Sequence, residues 1–283
     1  MKNIMVTGGS GQLASCIKDL EREVVGYNFL YVDYDELDIS KEEEVIAFFQ
    51  KKDISYCVNC AAYTAVDKAE TEPNTARKVN EKGVKYLAES CKNYNAIFIH
   101  ISTDFVFDGK QSTFYTEKDN TEPLSVYGST KLNGEKVTAS TIKEHFIIRT
   151  SWLYSEHGNN FLKTMLRLGQ EKDELSIVCD QIGTPTYAKD LAEIILKIII
   201  EDNKNFGVYH YSNEGVASWY DFAKAIFDIS NIKINVLPIK QENYPMPAIR
   251  PCFSVLDKSK IKEVLKINIP YWRESLKKAI SKI

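Results

Sequence analysis

The 283-residue chain predicts an α/β fold: a doubly wound parallel sheet with helices on both faces, followed by a smaller C-terminal domain. Three observations carry this reading. A short apolar run, Lys2 to Val6, leads into the glycine-rich turn Thr7-Gly8-Gly9-Ser10-Gly11 and then into helix formers. Strand-like and helical patterns alternate as far as about residue 150. Beyond Arg149 the alternation breaks down.

In chain order, strands are expected at 3–7, 29–32, 55–60, 96–102 and 145–149, with helices near 11–20, 41–51, 73–93 and 126–140. Strands separated by helices pair in parallel, and such sheets bind ligands at the carboxyl ends of their strands. Later helices are expected near 160–169, 189–201 and 218–229, with one more closing the chain. The proline-rich stretch Tyr244 to Pro251 reads as a loop.

The glycine turn sits where a dinucleotide fingerprint requires it, between the first strand and the first helix. Gly8 permits the sharp turn, Gly11 lets the backbone approach a pyrophosphate, and the helix N-terminus offers unpaired N–H groups to it. Ala14 is small enough for close packing of helix on strand. Asp33 ends the second strand about 20 residues on, where a carboxylate hydrogen-bonds the adenosine ribose. With Asp35, Glu36 and Asp38 nearby and no Arg or Lys before Ser40, a 2′-phosphate is repelled, so the cofactor is NADH or NADPH, with NADH favoured. Residues 1–150 thus read as a Rossmann-type NAD(P)-binding domain, rejoined by parts of the later chain, and residues 151–283 as mainly a substrate domain.

Composition excludes other classes. A net charge of -3 leaves no basic footprint for nucleic acid. The apolar run Leu191 to Ile200 is too short to span a bilayer and carries Glu193 and Lys197, so no membrane is expected. Met1-Lys2 runs straight into the first strand without a signal peptide, which predicts a cytoplasmic location. Cys57 and Cys60 form a C-x-x-C pair on an apolar strand rather than at a helix N-terminus, so both read as small core hydrophobes. Four scattered histidines predict no zinc site.

Carbonyl reduction needs a hydride and a proton. Tyr127 and Lys131 stand four apart on one helix face, a phenol to give the proton and an ammonium to stabilise the phenolate and bond the nicotinamide ribose. Thr103, at the end of the strand containing His100, offers a hydroxyl to the substrate carbonyl. Thr103, Tyr127 and Lys131 are the expected catalytic residues.

With these motifs in place, the chain resembles the extended short-chain dehydrogenase/reductase family, and within it the dTDP-4-dehydrorhamnose reductase branch. The likeness runs almost end to end, through Gly8 to Gln12, Val58 to Glu70, Ser102 to Gly109, Val126 to Gly128, Arg149 to Trp152, Asn159 to Phe161, Asp180-Gln181, Gly183 to Thr186, Trp219-Tyr220 and Pro245 to Pro251. It implies reduction of the C4 keto group of dTDP-4-dehydro-β-L-rhamnose to give dTDP-β-L-rhamnose. Gly8, Gly11, Gln12 and Leu13 would line the pyrophosphate, Asp38 and Ile39 the adenine, and Ala61, Ala62 and Thr64 the cofactor phosphates and ribose. Thr64, Val66, Thr103, Trp152 and Asn160 would face the substrate. Arg250 is the natural cation for its diphosphate, since a guanidinium presents a planar fork to phosphate oxygens.

Some members of this family form a magnesium-bridged dimer through glutamates, one of them just after the glycine turn. Here Ala14-Ser15-Cys16-Ile17 supplies no carboxylate, so no metal is expected and the chain reads as a monomer or weak homodimer. Two alternatives share the fold: another nucleotide-sugar reductase or epimerase, and a non-catalytic regulatory subunit related to the methionine adenosyltransferase β subunit. A dehydratase would need a second carboxylate where Phe105 follows Asp104.

Overall fold

The computed structural model describes residues 1–283. Five strands appear close to their expected places: β1 (Lys2–Thr7), β2 (Tyr27–Val32), β3 (Ile54–Asn59), β4 (Ile97–Thr103) and β5 (His145–Thr150). A sixth, β6 (Gly207–His210), comes from the late chain and pairs in parallel with β5. The order is β6-β5-β4-β3-β1-β2, and every pairing is parallel. The chain leaves β1 towards β2 on one side and returns as β3 on the other. That reversal opens a crevice beyond the carboxyl ends of β1 and β3, where such folds bind ligands.

Alternating side chains serve two cores, as the pleat of a strand requires. Ile4, Val6, Tyr56, Val58, Ile99, Phe146 and Ile148 face α1 (Gln12–Leu20) and a late apolar helix (Ala188–Ile200). Met5, Cys57 and Phe98 face the opposite way, onto α2 (Glu42–Lys51) and the Ala88–Cys91 region. Leu191, Ile195 and Ile199 on the apolar helix are completely buried, each contributing about 1.5–3 kcal/mol. This helix packs beneath the sheet, and no helix of the chain is long and apolar enough to cross a membrane. All six cysteines are free, with Cys57 and Cys91 in the core.

Between β3 and β4 the expected single helix is interrupted. A short α3 (Val66–Thr71) precedes α4 (Pro73–Arg77), a π-helical stretch (Lys78–Gly83) and α5 (Val84–Asn93). α6 (Val126–Thr141) then crosses back to β5. Past residue 150, α7 (Phe161–Glu171), α8, the apolar helix already described, and α9 (Trp219–Ile229) are close to expectation. A separate apolar layer forms there from Leu162, Met165, Phe222, Ile226, Trp272 and Leu276, beside a parallel pair of strands at 174–178 and 235–239. These short strands lie in the stretch whose pattern reads as irregular and were not foreseen. Nor was β6, which opens on a glycine at φ 134° and spans only four residues.

Candidate active site

The crevice is a cleft of about 840 Å³. Its cofactor half is built largely from backbone. Gly8 adopts φ 64°, and a Cβ there would lie 2.9 Å from the Ala61 backbone nitrogen, so only glycine lets the turn close against the loop after β3. α1 starts without a side-chain cap at Gly11, leaving first-turn amides beside the cleft, where Gln12 and Leu13 line it. An uncapped helix start against a glycine cradle suits a pyrophosphate.

Asp33 lies at the end of β2 and also lines the cleft. Its Oδ2 accepts from the Ser10 amide at 3.0 Å and its Oδ1 from the Tyr34 amide at 2.9 Å. The Ser10 hydroxyl first, then these amides, hold the carboxyl below its ordinary range. Asp38, Ile39, Ala61, Ala62 and Thr64 border the same cavity, which no Arg or Lys enters near Asp33. The residues present therefore fit a nicotinamide dinucleotide.

Tyr127 stands in the first turn of α6, whose entry is fixed twice: the Ser125 hydroxyl accepts from the Gly128 amide at 3.1 Å and Glu70 Oε1 from the Val126 amide at 2.8 Å. A Cβ at Gly128 would overlap the Phe105 carbonyl oxygen, so glycine allows this turn to press against the segment that follows β4. The Phe105 and Tyr127 rings consequently meet edge to face, 5.5 Å apart. Burial pushes the Tyr127 phenol up to about 12, with the Thr103 hydroxyl pulling it down and the Asp104 charge pushing it up.

Lys131 is 2 % exposed and donates from Nζ to the Ile101 carbonyl at 2.6 Å. Its ammonium is thus held by the backbone of β4 rather than bonded to the phenol one turn away. Burial pulls it down to about 8, and the buried carboxylate of Glu135 opposes that fall. Glu135 itself is gripped by Arg149, with Nη2 to Oε2 at 2.7 Å and Nε to Oε1 at 3.0 Å, and it accepts from the Ser102 hydroxyl. His210 completes this buried network: its Nδ1 donates to the Tyr115 carbonyl, which leaves Nε2 to accept from Arg149. Burial first, and then the neighbouring guanidinium, keep that imidazole neutral.

The other half of the cleft is built from side chains of distant segments. Trp152 adopts φ 46°, a left-handed backbone that a bulky residue occupies only under constraint. Its indole stacks on Trp219, with centroids 3.7 Å apart and planes 8° apart, and Trp219 Nε1 donates to Gln181. Val66, Thr103, Trp152 and Arg250 line the cleft as expected, but Asn160 does not. Its amide caps α7 through the Lys163 nitrogen and donates to Gln12 Oε1 and to the Ser155 and His157 carbonyls, while Asn159 lines the cleft instead. Asp104 and Trp219 were not foreseen as site residues. Asp104 is buried, its carboxyl raised to about 6 by burial, and its Oδ2 has no partner. Its position directly after Thr103 was the available signal. Away from the cleft, Asp19, Glu156 and His157 gather within 4.8 Å. His157 is already bonded to Asp19, and Glu156 to Tyr187 and Lys282.

Glycine cradle, strand-end carboxylate and Thr-Tyr-Lys set together define a nicotinamide-dependent oxidoreductase cleft. The family model for the RmlD substrate binding domain matches residues 1–283. The dTDP-4-dehydrorhamnose reductase of Aggregatibacter actinomycetemcomitans is 41% identical over 288 residues, covering 98% of each chain, and that of Escherichia coli K12 is 35% identical over 298 residues, covering 99% of this chain and 98% of the relative. A dTDP-4-dehydrorhamnose reductase from Bacillus anthracis, solved in complex with NADP, superposes with a TM-score of 0.96 at 38% identity and covers 100% of both chains. The chain belongs to the dTDP-4-dehydrorhamnose reductase family of oxidoreductases.

Proposed function

We propose that this protein reduces the C4 keto group of dTDP-4-dehydro-β-L-rhamnose to give dTDP-β-L-rhamnose, with Tyr127 as proton donor. The observation that carries the reading is the meeting of Thr103, Tyr127 and Lys131 in one cleft with the glycine turn. Family membership supports the sugar.

NADH or NADPH, when bound, supplies the hydride. Gly8, Gly11, Gln12 and Leu13 would hold its pyrophosphate, Asp33 its adenosine ribose, Asp38 and Ile39 its adenine, and Ala61, Ala62 and Thr64 the remaining phosphate and ribose edges. Lys131 would bond the nicotinamide ribose. Tyr127 delivers its proton to the carbonyl oxygen as negative charge develops there, and the Thr103 hydroxyl donates a hydrogen bond to the same oxygen. A phenol at about 12 stays protonated at neutral pH but is a reluctant donor, and the Lys131 ammonium stabilises the phenolate it leaves. The Asp104 carboxylate, buried beside Thr103 at the cleft, adds a negative charge next to the reacting oxygen's position. Residues 151–283 mainly hold the nucleotide sugar, with Trp152 and Trp219 as an aromatic wall and Arg250 on the diphosphate. Phenol and nicotinamide supply both proton and hydride, so the chemistry uses no metal. The working form is a cytoplasmic monomer or weak homodimer.

Purified protein incubated with reduced nicotinamide and dTDP-4-dehydro-β-L-rhamnose should consume the cofactor and yield dTDP-β-L-rhamnose by NMR. Turnover of GDP-linked keto sugars in preference to the dTDP sugar would refute this substrate.

A further inference from the structure

We infer that Asp67 is a positioning residue for the nucleoside diphosphate, acting through Arg250; the inference rests on the nucleotide-sugar reading of the cleft. The two residues are 183 apart in sequence and meet as an ion pair, Nη2 to Oδ2 at 2.8 Å. Their side chains are 19% and 30% exposed, Arg250 the more buried. A partly exposed pair of this kind contributes little to stability, so its consequence lies in geometry.

A guanidinium carries five N–H donors in one rigid plane. Nη1 of Arg250 gives one to Asp67 Oδ1 and one to the Ala248 carbonyl, both at 3.1 Å, and Nη2 gives one to Asp67 Oδ2. The carboxylate therefore fills the fork between the two Nη atoms. What remains is the Nε–H and the outer N–H of Nη2, which are neighbours on a second edge of the same plane. Neither has a protein acceptor. Two parallel donors on a residue lining the cleft match two oxygens of a diphosphate.

Asp67 also accepts from the Ala248 amide at 3.2 Å. One carboxylate thus fixes both the backbone of the loop that bears the arginine and the rotation of its guanidinium. Because Asp67 follows Val66 in α3, it ties this loop to the segment lining the cleft on the cofactor side. Arg250 is ordered before the ligand arrives, which removes the entropic cost of ordering a long side chain on binding. The arrangement also carries an opposing effect, since the Asp67 charge repels a diphosphate. Ordering and the shared guanidinium are inferred to outweigh that repulsion.

The test is binding of thymidine diphosphate and of thymidine to the full chain, followed by calorimetry. Asp67→Asn should weaken thymidine diphosphate about 10-fold, the loss of one charged hydrogen bond, while thymidine and NADPH affinities stay within about twofold. In an Arg250→Ala background the same substitution should add no more than about twofold, because its effect runs through the arginine. Arg250→Lys keeps the charge without the two forks and should also lose about 10-fold, which keeps the inference testable if Asp67→Asn fails to fold. Unchanged or tighter diphosphate binding by Asp67→Asn or Arg250→Lys, or an Asp67→Asn effect that persists without Arg250, would overturn the positioning role while leaving the cleft assignment intact. Failure of the unaltered protein to bind thymidine diphosphate would overturn the cleft assignment, and the inference with it.

Discussion

The two halves of the cleft are made differently. On the cofactor side the working parts are backbone amides, a glycine turn and one carboxylate, Asp33, all within the first strand–helix–strand unit. On the other side, where the substrate is proposed to sit, the cleft is lined by side chains, Asp104, Trp152, Trp219 and Arg250, delivered by four segments that meet only in the folded chain. A backbone-built site depends on local conformation, whereas a side-chain site depends on what lies underneath it. The buried Glu135–Arg149 pair lies under the junction, on α6 and β5; Lys131 shares α6 with Glu135, and Thr103 ends β4, the strand paired with β5.

Breaking that support should give the largest stability effect. Glu135→Gln leaves Arg149 as an uncompensated buried cation and is expected to lower unfolding free energy by about 3–5 kcal/mol in a denaturant titration. A loss below about 1 kcal/mol, typical of a surface pair, would mean that water reaches the network.

The pH profile of kcat/KM separates the halves. Lys131 is an ammonium below about 8 and an amine above it, so the rate should fall by about tenfold per pH unit on the alkaline side. Asp104 loses its negative charge, and with it its stronger acceptor strength, on protonation, so an acid limb should appear near 6. Asp104→Asn should remove the acid limb and leave the alkaline one. Loss of both limbs together would assign them to one coupled group.

A smaller effect concerns cofactor choice. With acidic neighbours and no cation at Asp33, NADH should be used at least as well as NADPH, and Asp33→Ala should shift the ratio of kcat/KM values towards NADPH by about fivefold. A strong wild-type preference for NADPH would place an unrecognised cation at the 2′ position.

The same contrast explains what could be read from the sequence. Gly8, Gly11 and Asp33 follow one another at fixed local spacing, and Tyr127 and Lys131 share a helix face by counting alone. The parallel sheet was legible for the same reason, since each strand of 1–150 is an apolar run bounded by turn residues. Asn160 was drawn from a resemblance, and the loop's actual path gives its amide to Gln12, Ser155, His157 and the start of α7 while Asn159 borders the cleft. Trp219 reaches Trp152 only through an unusual backbone turn at residue 152, which no local pattern announces. β6 is too short, and too dependent on pairing with β5, to be seen before the sheet exists.

The central claim is that Tyr127 gives the proton within a cleft whose binding surfaces are otherwise complete. Steady-state turnover of Tyr127→Phe with dTDP-4-dehydro-β-L-rhamnose, measured alongside its affinity for NADH and NADPH, tests it most directly. The substitution keeps the ring against Phe105 and removes only the hydroxyl, so kcat should fall by about 100-fold or more with cofactor affinity nearly intact. Near-normal turnover would contradict the account.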